Sequence, residues 1–325
     1  MKKYLAILVA ILLLVSICTM CACNNNDDEQ EQPEEITMYV PDGAPALSVA
    51  KIINDKTVGN TTVNTVVTTG EAVVAKCGNG EADMAVLPTN AAVNICSKRS
   101  DYLLFSVNVY GVLYIVGTEN ITSLSQLQGQ KLYSIGLGNT PQYVLETICD
   151  KQGVSYNGGS NGITVQYEAD ASSIIPLVIK GDVKFALIGE PAVTQLNNRM
   201  ASQGKTVYKL FDLQQLWQQA TGSNQKGYPQ ASLIVKKSLL TNEFAQQLMT
   251  ALNENGSFLT ENLSELNNIM KAAQSSLDLN YTAELLERCN LTVIPVKDAK
   301  ADIATYLSKF GITNIADSIY YEAKN

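Results

Sequence analysis

From Ile36 onward the apolar positions switch repeatedly between period two and period 3.6. Residues 36–40 (ITMYV) form a β-branched apolar run that predicts a strand, stopped by the breaker PDGAP at 41–45. Residues 46–54 have helical spacing, 61–69 (TTVNTVVTT) alternate as a strand, and 70–80 read as a short helix. A short buried strand (83–88) and a helix (89–98) follow. The long apolar run 102–118 has room for two strands around Gly111. Residues 123–132 predict a short helix and turn.

The alternation then starts again. KLYSIGLGNTPQY opens with a strand, passes through a Gly-rich loop and enters a helix. Thr140 is placed to cap that helix, with Pro141 at its first position. A strand is expected at 164–169, a helix at 172–182 containing Pro176, a buried strand at 184–189 and a helix at 192–204. Later come a strand at 231–235, helices within 242–290, an extended piece at 292–296 and a closing helix. Asp298 is the expected N-cap of that last helix, and Gly311 lies past its end. Such a β-α-β-α order predicts an α/β fold with largely parallel sheets.

Two phrases sharpen this reading. GEADMAVLPTNAAV (80–93) and GDVKFALIGEPAVT (181–194) align without a gap: Gly, an acidic residue, an apolar run and a turn containing Pro. The elements upstream of both also match. This predicts two similar α/β lobes. The expected division is 36–111 plus 231–325 for one lobe and 112–230 for the other. Two strands would cross between them, near 110–117 and 227–235.

Composition fits an ordinary soluble globular chain: 46% hydrophobic, 17% charged, 325 residues and a net charge of −8. There is no basic patch to attract nucleic acid. The first 22 residues read as a leader, with Lys2 and Lys3 before an apolar stretch at 5–17. Cys18, Cys21 and Cys23 follow, and only Cys23 has a small residue, Ala22, before it. Cys23 is therefore the expected lipidated N-terminus, although a plain secretory leader fits too. The acidic run NNNDDEQEQPEE (24–35) reads as a disordered tether. Cys77, Cys96, Cys149 and Cys289 are scattered, and read as buried apolar residues or as disulfide candidates. The chain has no His. This excludes Ser-His-Asp and Cys-His catalysis and disfavours a zinc site, so no enzyme activity, metal or cofactor is expected.

An anchored two-lobed α/β chain resembles the solute-binding proteins of ABC importers. PDGAPAL, the GLGNTPQY loop, the strand followed by GEP, and VKDAKADIATYL resemble the group that binds nitrate, aliphatic sulfonates, taurine or thiamine-pyrimidine precursors. The resemblance covers nearly the whole chain after the tether. It implies the two-lobed type II periplasmic-binding-protein fold, a hinge, and a ligand held between the lobes for delivery to permease subunits at the outer face of the cytoplasmic membrane. A monomer is implied.

In open parallel α/β sheets ligands sit beyond the carboxyl ends of the strands, where helix N-termini offer free N–H groups. Four loops are therefore candidates: 42–46, 88–91, 136–142 and 189–192. Within them Asp42, Gly43, Ala44, Thr89, Asn90, Gly138, Asn139, Thr140, Gln142 and Glu190 are candidate ligand contacts. The polar ones could equally cap their own helices. Glu190 could accept hydrogen bonds from a ligand amine. Tyr110 and Tyr228, near the crossings, are the aromatic candidates, and Tyr39, Tyr133 and Tyr143 lie near other strand ends or loops. Trp217 reads as packing or surface. No Arg or Lys lies in the four loops, which favours a neutral or cationic, partly aromatic solute over an anion. Anion binding, and ligand sensing without transport, remain the alternatives.

Overall fold

The computed structural model describes residues 32–156, 161–223 and 226–323. The leader, Cys23 and most of the tether lie outside the described residues. The rest builds two sheets, one of seven strands and one of five.

In the large sheet, β1 (Glu35–Pro41) is an interior strand. It pairs in parallel with β3 (Thr61–Thr68) on one side and with β4 (Met84–Pro88) on the other. Beyond β3 is the short β2 (Thr57–Val58). Beyond β4 come β11 (Ala231–Lys236), β5 (Tyr102–Val109) and β12 (Leu291–Pro295), joined by antiparallel ladders.

The small sheet repeats the plan. Its β7 (Lys131–Ile135) pairs in parallel with β8 (Thr164–Glu168) and β9 (Phe185–Gly189). Then β6 (Leu113–Gly117) and β10 (Tyr208–Asp212) continue it antiparallel. The repeated phrases are β4 and β9. Met84 of β4 is level with Met38 of β1, and Phe185 of β9, its match in the alignment, is level with Leu132 of β7. β9 is buried throughout and β4 up to Pro88, so an unbroken apolar run is what their positions demand.

Alternation along the strands sorts the cores. Met84 and Val86 pack with Met38, Val40, Leu233 and Val235 on one face of the large sheet. Tyr114, Val116, Ala186 and Ile188 cover one face of the small sheet. Ala85, Leu87, Ile115, Leu132, Phe185 and Leu187, on the remaining faces, belong to one shared core. The closing helix, Val296–Ser308, adds Ala299, Ile303, Tyr306 and Leu307 to that core, so it ties both sheets together.

The two crossings run side by side. The first is 110–112, between β5 and β6. The second approaches β11 through 227–230. Gln230 N–H donates to the Val109 carbonyl at 2.8 Å, and the Gln230 side chain accepts from Val112 N–H at 2.9 Å. Gly227 has φ +101°, and a Cβ there would run into the Tyr110 carbonyl. Only glycine lets the crossings approach this closely.

Several local expectations need correction. The helix expected over 46–54 is two short ones, Ala44–Leu47 and Ala50–Asp55, parted at Ser48 and Val49. Asn139, not Thr140, is the N-cap of the Thr140–Gln152 helix, which places Pro141 one position later. The last helix begins at Val296, so Asp298 lies in its first turn, where a carboxylate still suits the helix dipole. β10 was not foreseen. It is a short, half-exposed edge strand with a register shift, too irregular to give a periodic signal.

Candidate functional site

All four candidate loops lie at carboxyl ends of parallel strands, and they meet in two pairs. A Cβ on Gly43 would lie 3.7 Å from Pro191 Cδ. Asn90 Nδ2 points at Asn139 Oδ1 at 3.5 Å, a long and weak contact. Each pair joins a loop of the large sheet to a loop of the small one. The Asn90 Oδ1 atom is buried without a partner.

The side chains differ in what already holds them. Both Asp42 oxygens are occupied: Ser275 Oγ and Gly43 N–H donate to Oδ1 at 2.6 and 2.8 Å, and Ser276 N–H and Oγ donate to Oδ2 at 2.7 and 2.8 Å. This carboxylate pins the 275–276 segment to the loop. Ala44 is buried under its own short helix. Thr89 is fully buried, its Oγ1 2.8 Å from Ser232 Oγ on β11. Gly138 has φ +71° with open space around it, so it serves the turn. Its N–H donates to Gln142 Oε1 at 2.8 Å, and Gln142 Nε2 donates to Glu146 Oε1 at 2.7 Å. Thr140 is buried, and its Oγ1 accepts from Tyr306 OH at 2.7 Å.

Glu190 is the main surprise. Its side chain is 1% exposed, and it is paired. Arg288 Nε donates to Glu190 Oε1 at 2.8 Å; Thr194 Oγ1 and N–H add bonds at 3.1 and 3.0 Å. Arg288 comes from the Ala283–Arg288 helix, outside all four loops. Burial pulls its guanidinium down, and the Glu190 carboxylate more than offsets this, holding it above its usual value. The carboxylate expected to meet a ligand amine thus already has a cation.

Tyr228 and Tyr143 belong to an aromatic cluster with Trp217, Tyr306 and Phe310, which reaches the 136–142 loop through Tyr306 and Thr140. Tyr228 is buried, donates to Gln214 Oε1 at 3.1 Å and stacks on Tyr306 at 5.6 Å. Trp217 packs edge-on against both. Tyr143 stacks on Phe310 at 4.6 Å. Tyr110 OH donates to Asp302 at 3.3 Å. Tyr110, Tyr228, Trp217 and Tyr306 line a cavity of about 20 Å³ beside the second crossing. That is room for about one water. Tyr39 and Tyr133 lie instead under Lys76 and Lys131, each 5.9 Å from the ring. A larger groove of about 490 Å³ runs between the Ala50–Asp55 and Asn242–Glu261 helices and includes none of the four loops.

Cys77, Cys96, Cys149 and Cys289 are free and buried. Burial pushes the first three thiols up to about 12, so they are inert.

No family model and no curated protein matches the chain. Solved structures do. An ABC transporter protein from Parabacteroides distasonis is 18% identical at a TM-score of 0.74, covering 90% of this chain and 100% of that one. The aliphatic sulphonate binding protein SsuA of Escherichia coli is 14% identical at 0.66, covering 90% and 94%. The alkanesulfonate-binding protein SsuA of Xanthomonas axonopodis pv. citri, bound to MOPS, is 14% identical at 0.61, covering 89% and 96%. At such identities the likeness speaks for the fold. Two sheets built to one plan, joined by two crossings and spanning nearly the full length of these neighbours, give this chain the two-lobed α/β fold of ABC-importer solute-binding proteins.

Proposed function

We propose that this chain is an extracytoplasmic solute-binding protein. It would capture one small molecule between lobe one (36–111 plus 231–325) and lobe two (112–230) and present it to an ABC importer. Anchoring through a lipidated Cys23 fits the same reading. One observation supports it: the Asn90–Asn139 and Gly43–Pro191 pairs bring four strand-end loops from two sheets face to face, with the side-chain carbonyl of Asn90 buried and unpartnered. A carbonyl so placed is an acceptor waiting for a donor.

The ionic arrangement narrows the solute. Glu190 is paired with Arg288, and both Asp42 oxygens are taken by Ser275, Ser276 and Gly43, so neither carboxylate is open to a ligand cation, and the loops hold no cation for an anion. The reading is therefore an uncharged, hydrogen-bonding and partly aromatic molecule of the pyrimidine or vitamin-precursor kind. Thermal shift with nitrate, sulfonates, pyrimidines, flavins and amino-acid derivatives tests this. A ligand at 100 times its Kd stabilises by about 2.7 kcal/mol. A shift confined to uncharged heterocycles is expected. A shift with sulfonates alone reverses the ligand class, and no shift with any of them counts against the binding role.

A further inference from the structure

We infer that Arg288 is a positioning residue that braces the hinge at the first crossing; this rests on reading 110–112 and 227–230 as a hinge.

The bonds form a closed ring around that crossing. Tyr110 N–H donates to the Asn290 carbonyl at 3.1 Å, and Asn290 Nδ2 donates back to the Tyr110 carbonyl. Two residues along, Glu190 N–H donates to the Val112 carbonyl at 2.9 Å. Arg288, two residues before Asn290, reaches Glu190 Oε1 at 2.8 Å and Thr194 Oγ1 at 3.0 Å. The crossing is thus held at its start by Asn290 and at its end by Glu190, and Arg288 ties these two anchors together. Asn290 itself has φ +47°, a left-handed conformation kept by the Tyr110 clasp.

The second crossing is built differently. Thr89 occupies the place of Glu190 in the repeat, and its N–H donates to the Gln230 carbonyl at 3.0 Å. Its side chain turns inward to Ser232. The ion pair at the start of this crossing, Lys226–Asp212 at 2.8 Å, involves neither Thr89 nor Gln230. At the turn after the repeated strand, one crossing is held through a charged side chain and the other through neutral hydrogen bonds.

The brace can also let go. Arg288 Nη1 donates to Glu284 Oε1 at 2.6 Å within its own helix, and Glu190 keeps both Thr194 bonds within its own lobe. Separation leaves Arg288 paired with Glu284 and Glu190 bonded to Thr194, which lowers the cost of breaking the pair without removing it. A permanent strut would need no second partners.

Hydrogen exchange on the full chain, with no ligand added, tests the idea. In Arg288→Gln, the amides of Tyr110 and Glu190 should exchange about tenfold faster, because one charge-assisted contact has been lost. The Thr89 amide should not change. Arg288→Lys should recover part of the protection. If Arg288→Gln folds poorly, Glu190→Gln keeps the Thr194 contact and should give the same local pattern. Unchanged exchange at Tyr110 and Glu190 overturns the brace. So does equal acceleration at all three amides, which marks a general loss of stability. A brace that fails while solutes still shift the melting point leaves the binding role standing, and the reverse outcome is equally readable.

Discussion

The turns after β4 and β9 hold equivalent places in the two sheets and use them in opposite ways. Both donate a backbone N–H to a crossing: Thr89 to Gln230, Glu190 to Val112. After that the side chains part. Thr89 is consumed inside its own lobe by Ser232, which frees the next residue, Asn90, to face the other lobe. Glu190 reaches across to Arg288, and the next residue, Pro191, offers only an apolar face to Gly43. One wall therefore presents a hydrogen-bonding amide. The other presents a neutralised ion pair and a proline. The repeated strands are scaffold, and the copies diverge in the one or two turn residues that follow them.

Three tests press on this contrast. The largest effect belongs to Arg288→Ala, which leaves the covered Glu190 carboxylate without its cation; about 2 kcal/mol of unfolding free energy should be lost, less than for a fully buried pair because Arg288 is part-exposed. Glu190→Ala should cost less, about 1 kcal/mol, since Arg288 retains Glu284. Urea unfolding measures both, and equal costs would mean that the pair is not asymmetric as described.

Next, Thr89→Val should cost about 1.5 kcal/mol by leaving the Ser232 hydroxyl buried and unpaired. Adding Ser232→Ala should recover much of it. A double-mutant cycle with no coupling would show that the hydroxyl pair is incidental.

The smallest effect is on the buried tyrosines, of which Tyr306 bonds Thr140 beside Asn139. Burial raises the Tyr228 and Tyr306 phenols above their usual value. A phenol with a raised folded value contributes its full stability below the unfolded value near pH 10, and loses it as pH rises towards the folded value. Each should therefore cost only about 0.4 kcal/mol at pH 10, and more beyond. Unfolding curves at pH 8, 10 and 11 read this. Ionisation of both phenols at pH 10, seen by ultraviolet absorbance, would contradict their burial.

How much was legible depended on whether the signal was local. The strands of both repeats, the helices that follow them and the division into two sheets were readable, because each rests on apolar periodicity within a dozen residues. The loops at the strand ends followed from the same pattern. Their pairing did not: Asn90 and Asn139 both stand out as polar loop residues, yet nothing in the sequence says that they face each other. The partners of Glu190, Asp42 and Thr140 are further still. Arg288, Ser275 and Tyr306 sit in unremarkable helical or polar stretches far along the chain.

Glu190 shows the consequence. At the end of a buried strand a carboxylate must be paired, because bare burial is costly. The sequence left a ligand amine or its own helix terminus as the partner, and the fold supplied an arginine. By itself, then, the sequence determined the elements, their duplication and which loops close the strands, since these follow from short-range periodicity and backbone chemistry. Only the tertiary structure decided which polar groups remain open and which are spent, because that depends on residues nearly a hundred or more positions apart that the two crossings bring together.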